Sequence, residues 1–149
     1  EARLALIGDK YSVSSAHRYT DYEAMLKNES LDLVHVCTPH HLHKPQAIAA
    51  LQAGSHVLME KPIATSVEEA NHIIEAADHA GKKLTISHNQ LFRPLHQAVM
   101  KHISQGDIGD VFLVRTEGIS THHVVGRGEG QHWRASVTSG ATGQPVDIN

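Results

Sequence analysis

The run His56-Val57-Leu58-Met59-Glu60-Lys61-Pro62 decides how the rest of the chain is read. Three apolar residues lead straight into an acid, a base and a proline. A strand buried inside a parallel sheet has this look, and its polar exit marks where the chain leaves the sheet. In open α/β sheets, ligands sit beyond the carboxyl ends of such strands. Lys61 therefore stands where a catalytic lysine is expected.

Reading outward, the same unit repeats on both sides. Upstream, Leu31 to Cys37 is a strand that ends at Thr38-Pro39. Pro45 suits a first helical turn, Gln46 to Ala53 continues it, and Gly54 closes it as a left-handed cap. Downstream, Ser66-Val67-Glu68-Glu69 is a capping box. It opens a helix whose apolar face is Val67, Ala70, Ile73, Ile74 and Ala77, ended by Gly81. Leu84-Thr85-Ile86 is a third strand, followed by Ser87-His88-Asn89. Pro94 opens another amphipathic helix, broken by Gly106 and Gly109. Strands joined this closely through helices are parallel, with right-handed crossovers. Their ends carry Thr38-Pro39, Glu60-Lys61-Pro62 and His88-Asn89, so these polar residues are expected along one edge of the sheet.

The flanks are less regular. Glu1 to Tyr11 reads as a helix weakened by Gly8. A short strand is expected near His17 to Tyr19. Asp21 caps a helix over Tyr22 to Lys27. Val111 to Glu117 reads as a longer strand, followed by a glycine-rich stretch from Gly126 to Gly130.

Composition narrows the function. The chain has 149 residues, 40% hydrophobic and 19% charged, and a domain of this length buries roughly 70% of its unfolded surface. No apolar run approaches the roughly 20 residues of a membrane helix, so a membrane partner is not expected. The net charge of −3 comes without a basic tract, which argues against nucleic acid. A single cysteine, Cys37, excludes an internal disulfide and fits a reducing, cytoplasmic setting. It reads as a small buried residue. His40-His41-Leu42-His43 invites a zinc reading, but three loop histidines and one thiol fall short of a zinc site, and no metal is expected. His40 and His41 read as surface residues.

Taken in order, these pieces resemble the Gfo/Idh/MocA oxidoreductases, the glucose–fructose oxidoreductase and inositol dehydrogenase family. The resemblance is carried by Cys37-Thr38-Pro39 with Leu42-His43, by Ala53-Gly54, and by the run His56 to Pro62. Ser87-His88-Asn89, Phe92-Arg93-Pro94 and Gly106-Asp107-Ile108-Gly109 extend it. It implies NAD or NADP as cofactor and a sugar, cyclitol or related small molecule as substrate. It also implies a homo-oligomer in the full-length protein. Lys61 matches the lysine of the family's Glu-Lys-Pro motif, which hydrogen-bonds the reacting oxygen and helps move its proton. Thr38, Pro39 and His43 match the loop that lines the cofactor, with Glu60, Lys61 and Asn89 near its nicotinamide. Trp133-Arg134 resembles a pair found near cofactor or substrate. Asp147 resembles the aspartate of the family's Asp-x-Gly-x-His signature, although Asn149 stands where glycine is usual.

One departure is large. No Gly-x-Gly-x-x-Gly follows a strand anywhere in the chain, so the turn that holds pyrophosphate is not found. The expected fold is α/β: a partial Rossmann-like parallel sheet lacking its first strands, over residues 1–109. The start of an α+β open-sheet domain is expected over 110–149. The chain reads as an internal fragment of an NAD(P)-dependent oxidoreductase, inactive by itself. The alternatives are a non-catalytic nucleotide-binding regulatory member of the family, or a truncated α/β interaction protein.

Overall fold

The computed structural model describes residues 1–117, which divide into two compact units, 1–87 and 88–117. The first is built on three short parallel strands, β1 (Leu33–Val36), β2 (His56–Met59) and β3 (Leu84–Ile86), in the order β1-β2-β3. Val34 is level with Val57 and Val57 with Leu84, while Val36 pairs with Met59 and Met59 with Ile86. Side chains alternate across a strand, so these six share one face of the sheet.

That face is covered by α3 (His43–Gln52) and α4 (Val67–Ala80). Ala47, Ala50 and Leu51 of α3 and Ile73 and Ala77 of α4 are buried with Val36, Val57 and Met59. The alanines let α3 lie close against both the strands and α4. The opposite face carries Leu33, His35, Leu58 and Thr85, and Leu33 is exposed. Ser55, buried just before β2, donates its hydroxyl to the Leu31 carbonyl at 2.7 Å, so its polar group has a partner.

Helix ends follow their sequence signals. Ser66 caps α4 by accepting the Glu69 N–H, and Gly81 ends it at φ +61°, a left-handed turn that glycine adopts without penalty. The reciprocal bond lands one residue early, because Glu69 Oε2 accepts from the N–H and hydroxyl of Thr65. On α4 the buried stripe is Ile73 and Ala77, whereas Val67 is 79% exposed and Ile74 is exposed as well. The expected face was thus drawn one flank too wide. Helix α3 begins at His43, two residues before Pro45, after a 3₁₀ turn over His40–Leu42.

At the start of the chain, α1 spans Ala2–Lys10 and α2 spans Tyr22–Asn28, capped by Asp21. Between them, the strand expected near His17 is instead a 3₁₀ turn, Ser15–His17, capped by Ser14. Arg18 then reaches back to the carbonyls of Val13 and Ala5 and to Asp9. Its guanidinium passes directly over Gly8, where a Cβ would lie 2.2 Å from Arg18 Nε. Gly8 is therefore not merely a weak helix residue, since it makes room for this tie.

In the second unit, a 3₁₀ turn over Asn89–Phe92 precedes α5 (Pro94–Ser104). The strand expected over Val111 to Glu117 is not formed: residues 111–117 carry no regular structure, and Phe112 is 97% exposed. A strand exists only as one member of a pair, and no described strand pairs with this segment. Among the described residues no helix is long and apolar enough to cross a membrane.

Candidate functional site

The parallel sheet brings the carboxyl ends of β1 and β2 together, and two loops leave there side by side. The Glu60 N–H still donates to the Val36 carbonyl at 2.9 Å, so pairing continues one residue past the strands. This brings the start of the first loop, Cys37-Thr38-Pro39, beside Glu60-Lys61-Pro62. Lys61 is exposed at the mouth of the second loop, and the Lys61–Pro62 peptide bond is cis. Thr38, Pro39 and Glu60 are half-buried. Four of the expected site residues thus meet on one edge.

The first loop is held from within. The Thr38 hydroxyl donates to Gln46 Oε1 at 2.6 Å, and the Leu42 N–H donates to the Pro39 carbonyl at 2.9 Å. His43, expected to line the cofactor, is fully buried. Its Nδ1 faces the Pro62 carbonyl at 2.8 Å and its Nε2 the Thr38 carbonyl at 2.9 Å. The ring supports the two loops from beneath. His40, expected at the surface, is also buried, with its ring edge-on to His43 and 5.5 Å between centroids. A loop folded back onto its own helix has an inside, and alternate histidines fall there.

Cys37 departs from expectation in the other direction. It is exposed, because it lies just past the last buried residue of β1. Partial burial of the thiol, and secondarily the negative charge of Glu60, push its pKa up from the ordinary thiol range. The thiol is therefore a poor nucleophile and a poor metal ligand at neutral pH. Among the described residues no three histidine, cysteine or acidic side chains are placed to hold a metal ion.

Asn89 opens the 3₁₀ turn of the second unit and is exposed. Trp133, Arg134 and Asp147 lie outside the described residues. Gln46 was missed in the sequence, since nothing in one helical glutamine announces a bond to a threonine eight residues earlier. Ser55 was missed for the same reason.

The edge just described belongs to a known class of sheet. Residues 2–88 match the Gfo/Idh/MocA family, an oxidoreductase family with an NAD-binding Rossmann fold. The chain belongs to this family. It is 33% identical over 129 residues to the 1,5-anhydro-D-fructose reductase of Ensifer adhaerens, which covers 87% of this chain and 38% of that protein. It is 35% identical over 91 residues to the scyllo-inositol 2-dehydrogenase (NADP(+)) IolW of Bacillus subtilis, covering 61% of this chain and 25% of that one. Among solved structures, the aldose-aldose oxidoreductase of Caulobacter crescentus superposes with a TM-score of 0.77 at 28% identity. That match covers 98% of this chain and 43% of the other. The chain thus spans less than half the length of each of these relatives.

Proposed function

We propose that the whole protein is an NAD- or NADP-dependent oxidoreductase acting on a hydroxyl or carbonyl carbon of a sugar, cyclitol or related small molecule. The observation that carries this reading is the placement of Lys61. It is exposed at the carboxyl end of the central strand, inside the span that matches an NAD-binding family. The relatives named above support the substrate class, since their names are those of a sugar-derivative reductase, a cyclitol dehydrogenase and an aldose oxidoreductase.

The residues on the edge suit the nicotinamide end of the cofactor. Thr38 and Pro39 form a half-buried ledge, Lys61 stands exposed beside it, and Glu60 supplies a carboxylate. When bound, the nicotinamide supplies the group that accepts or returns hydride. The chain's own part is proton handling and charge. Lys61 Nζ hydrogen-bonds the substrate oxygen, takes its proton as the hydroxyl is oxidised, and returns it in the reverse direction. As an ammonium it stabilises negative charge on that oxygen. Thr38 and Pro39 set the ledge against which the ring lies, while Asn89, Trp133, Arg134 and Asp147 complete the proposed set. Cys37 takes no part, and its lone presence suits a cytoplasmic, reducing setting. A homo-oligomer is the proposed assembly.

Replacing Lys61 in the full-length protein tests this. We expect Lys61→Ala to lower kcat by about 10²–10⁴-fold, the range for losing a general acid–base group. The Kd for NADH or NADPH should change far less. A Lys61→Ala enzyme that turns over as fast as the parent would sink the assignment.

A further inference from the structure

His43 poses a question that its two hydrogen bonds answer. Its ring is fully buried, and both nitrogens face backbone carbonyl oxygens, Pro62 at 2.8 Å and Thr38 at 2.9 Å. A carbonyl can only accept. A neutral imidazole has one N–H and one bare lone pair. In either tautomer one carbonyl takes a full hydrogen bond and the other is held against the ring, so a single buried side chain touches both loops.

His56, in the same unit, shows the opposite arrangement. Its Nδ1 accepts the Lys83 N–H at 3.0 Å, so that nitrogen carries no hydrogen. His40 packs edge-on against the His43 ring, with 5.5 Å between centroids. Glu60 and Lys61 precede Pro62 in the loop above. Both His43 nitrogens are taken by carbonyls, so neither is in contact with a carboxylate.

We propose that His43 is a positioning residue: a buried ring that spans the Thr38 and Pro62 carbonyls and so fixes the turn that carries Lys61. The role differs from cofactor contact, because the ring is fully buried and both its nitrogens face backbone carbonyls. It acts through the backbone. Thr38 belongs to the ledge after β1 and Pro62 is the residue next to Lys61. One rigid ring therefore sets the spacing between the ledge and the lysine's own loop. Small misplacements of a catalytic group carry large kinetic penalties, about a hundredfold for 1 Å. The functional half of this inference rests on the oxidoreductase reading given above.

The test uses the full-length protein in two ways. The first is nitrogen NMR of the parent with isotopically labelled histidine. We expect the His43 ring hydrogen to exchange with solvent far more slowly than that of the exposed His41. A His43 ring hydrogen that exchanges as fast as that of His41 overturns the clamp. The second compares His43→Phe, a ring with no donor, with His43→Gln, which keeps side-chain N–H groups. For His43→Phe we expect kcat to fall about tenfold or more, the NADH or NADPH Kd to shift less than about threefold, and amide exchange to quicken around Thr38 and Ala64. His43→Gln should restore part of the loss. Unchanged kcat and unchanged exchange in His43→Phe overturn the positioning role. If His43→Phe does not fold, His43→Gln and the parent spectrum still decide. If the parent oxidises no sugar or cyclitol, the oxidoreductase reading fails, while the ring spectrum and the amide exchange still decide the clamp.

Discussion

The loop after β1 and the loop after β2 leave neighbouring parallel strands at the same edge, yet they are held by opposite means. The first is anchored from inside, with His40 and His43 buried beneath it and Thr38 tied to Gln46. The second is anchored at its far end. Ser66 caps α4 and Glu69 returns to Thr65, while Ile63 and Ala64 rest against the core. Its near end, with Lys61, stays exposed. The difference shows how a short segment can present a reactive side chain without wandering. Its neighbour carries the buried polar anchors, and it keeps only a cap and a contact of its own.

The strongest way to break this contrast is to remove what both loops share. Ile73 is fully buried where α4 meets α3 and the sheet. We expect Ile73→Ala to cost about 3 kcal/mol, the transfer loss plus the cavity it leaves. Denaturant unfolding would read it. Amide exchange should then quicken in both loops alike, and a response confined to one loop would contradict the shared platform.

A smaller change should separate them. Ser66→Ala removes the α4 cap, at about 1 kcal/mol, and should loosen the second loop while leaving Thr38 to Leu42 protected. Acid should act through the same cap. The Thr65 hydroxyl bond holds the Glu69 carboxyl below the usual carboxylate range, against the opposing effect of burial, and Lys44 and His72 add weaker attraction. A carboxyl depressed in the folded state stabilises the fold above its unfolded pKa, and the gain is lost as pH falls through the folded value. Parent and Glu69→Gln should therefore differ in stability near neutrality and converge in acid. A gap that persists below the carboxylate range would show that Glu69 acts through shape rather than charge.

The two loops also differ in how much of them could be read before folding. The second was legible almost entirely: the apolar run, the Glu-Lys-Pro exit, Ser66 and Gly81 are local signals that act over one turn. The first was legible only in outline. Thr38 and Pro39 were placed correctly at the strand end, but His40 was put at the surface, and Cys37 inside, because burial in a loop depends on which way it folds back. The same limit explains Val67 and Ile74, whose helical spacing names a stripe without naming its width. It explains residues 111–117 too, since alternation marks a strand only when a partner is present.

The smallest effect reads the distance between the loops directly. Cys37 begins the first loop and Glu60 the second, and the thiol is held up mainly by partial burial and then by the Glu60 charge. Thiolate is the reactive form, so alkylation of Cys37 at neutral pH should be slower than that of free cysteine. Glu60→Gln should speed it by only about two- to threefold, because burial is the larger cause and remains in place. No change at all would mean that the carboxylate does not face the thiol, and the two loops could not then lie as described. A rise beyond about tenfold would reverse the order of causes and make Glu60 the dominant charge at this edge. The measurement needs neither cofactor nor substrate, so it probes the site's geometry apart from any assumption about the reaction.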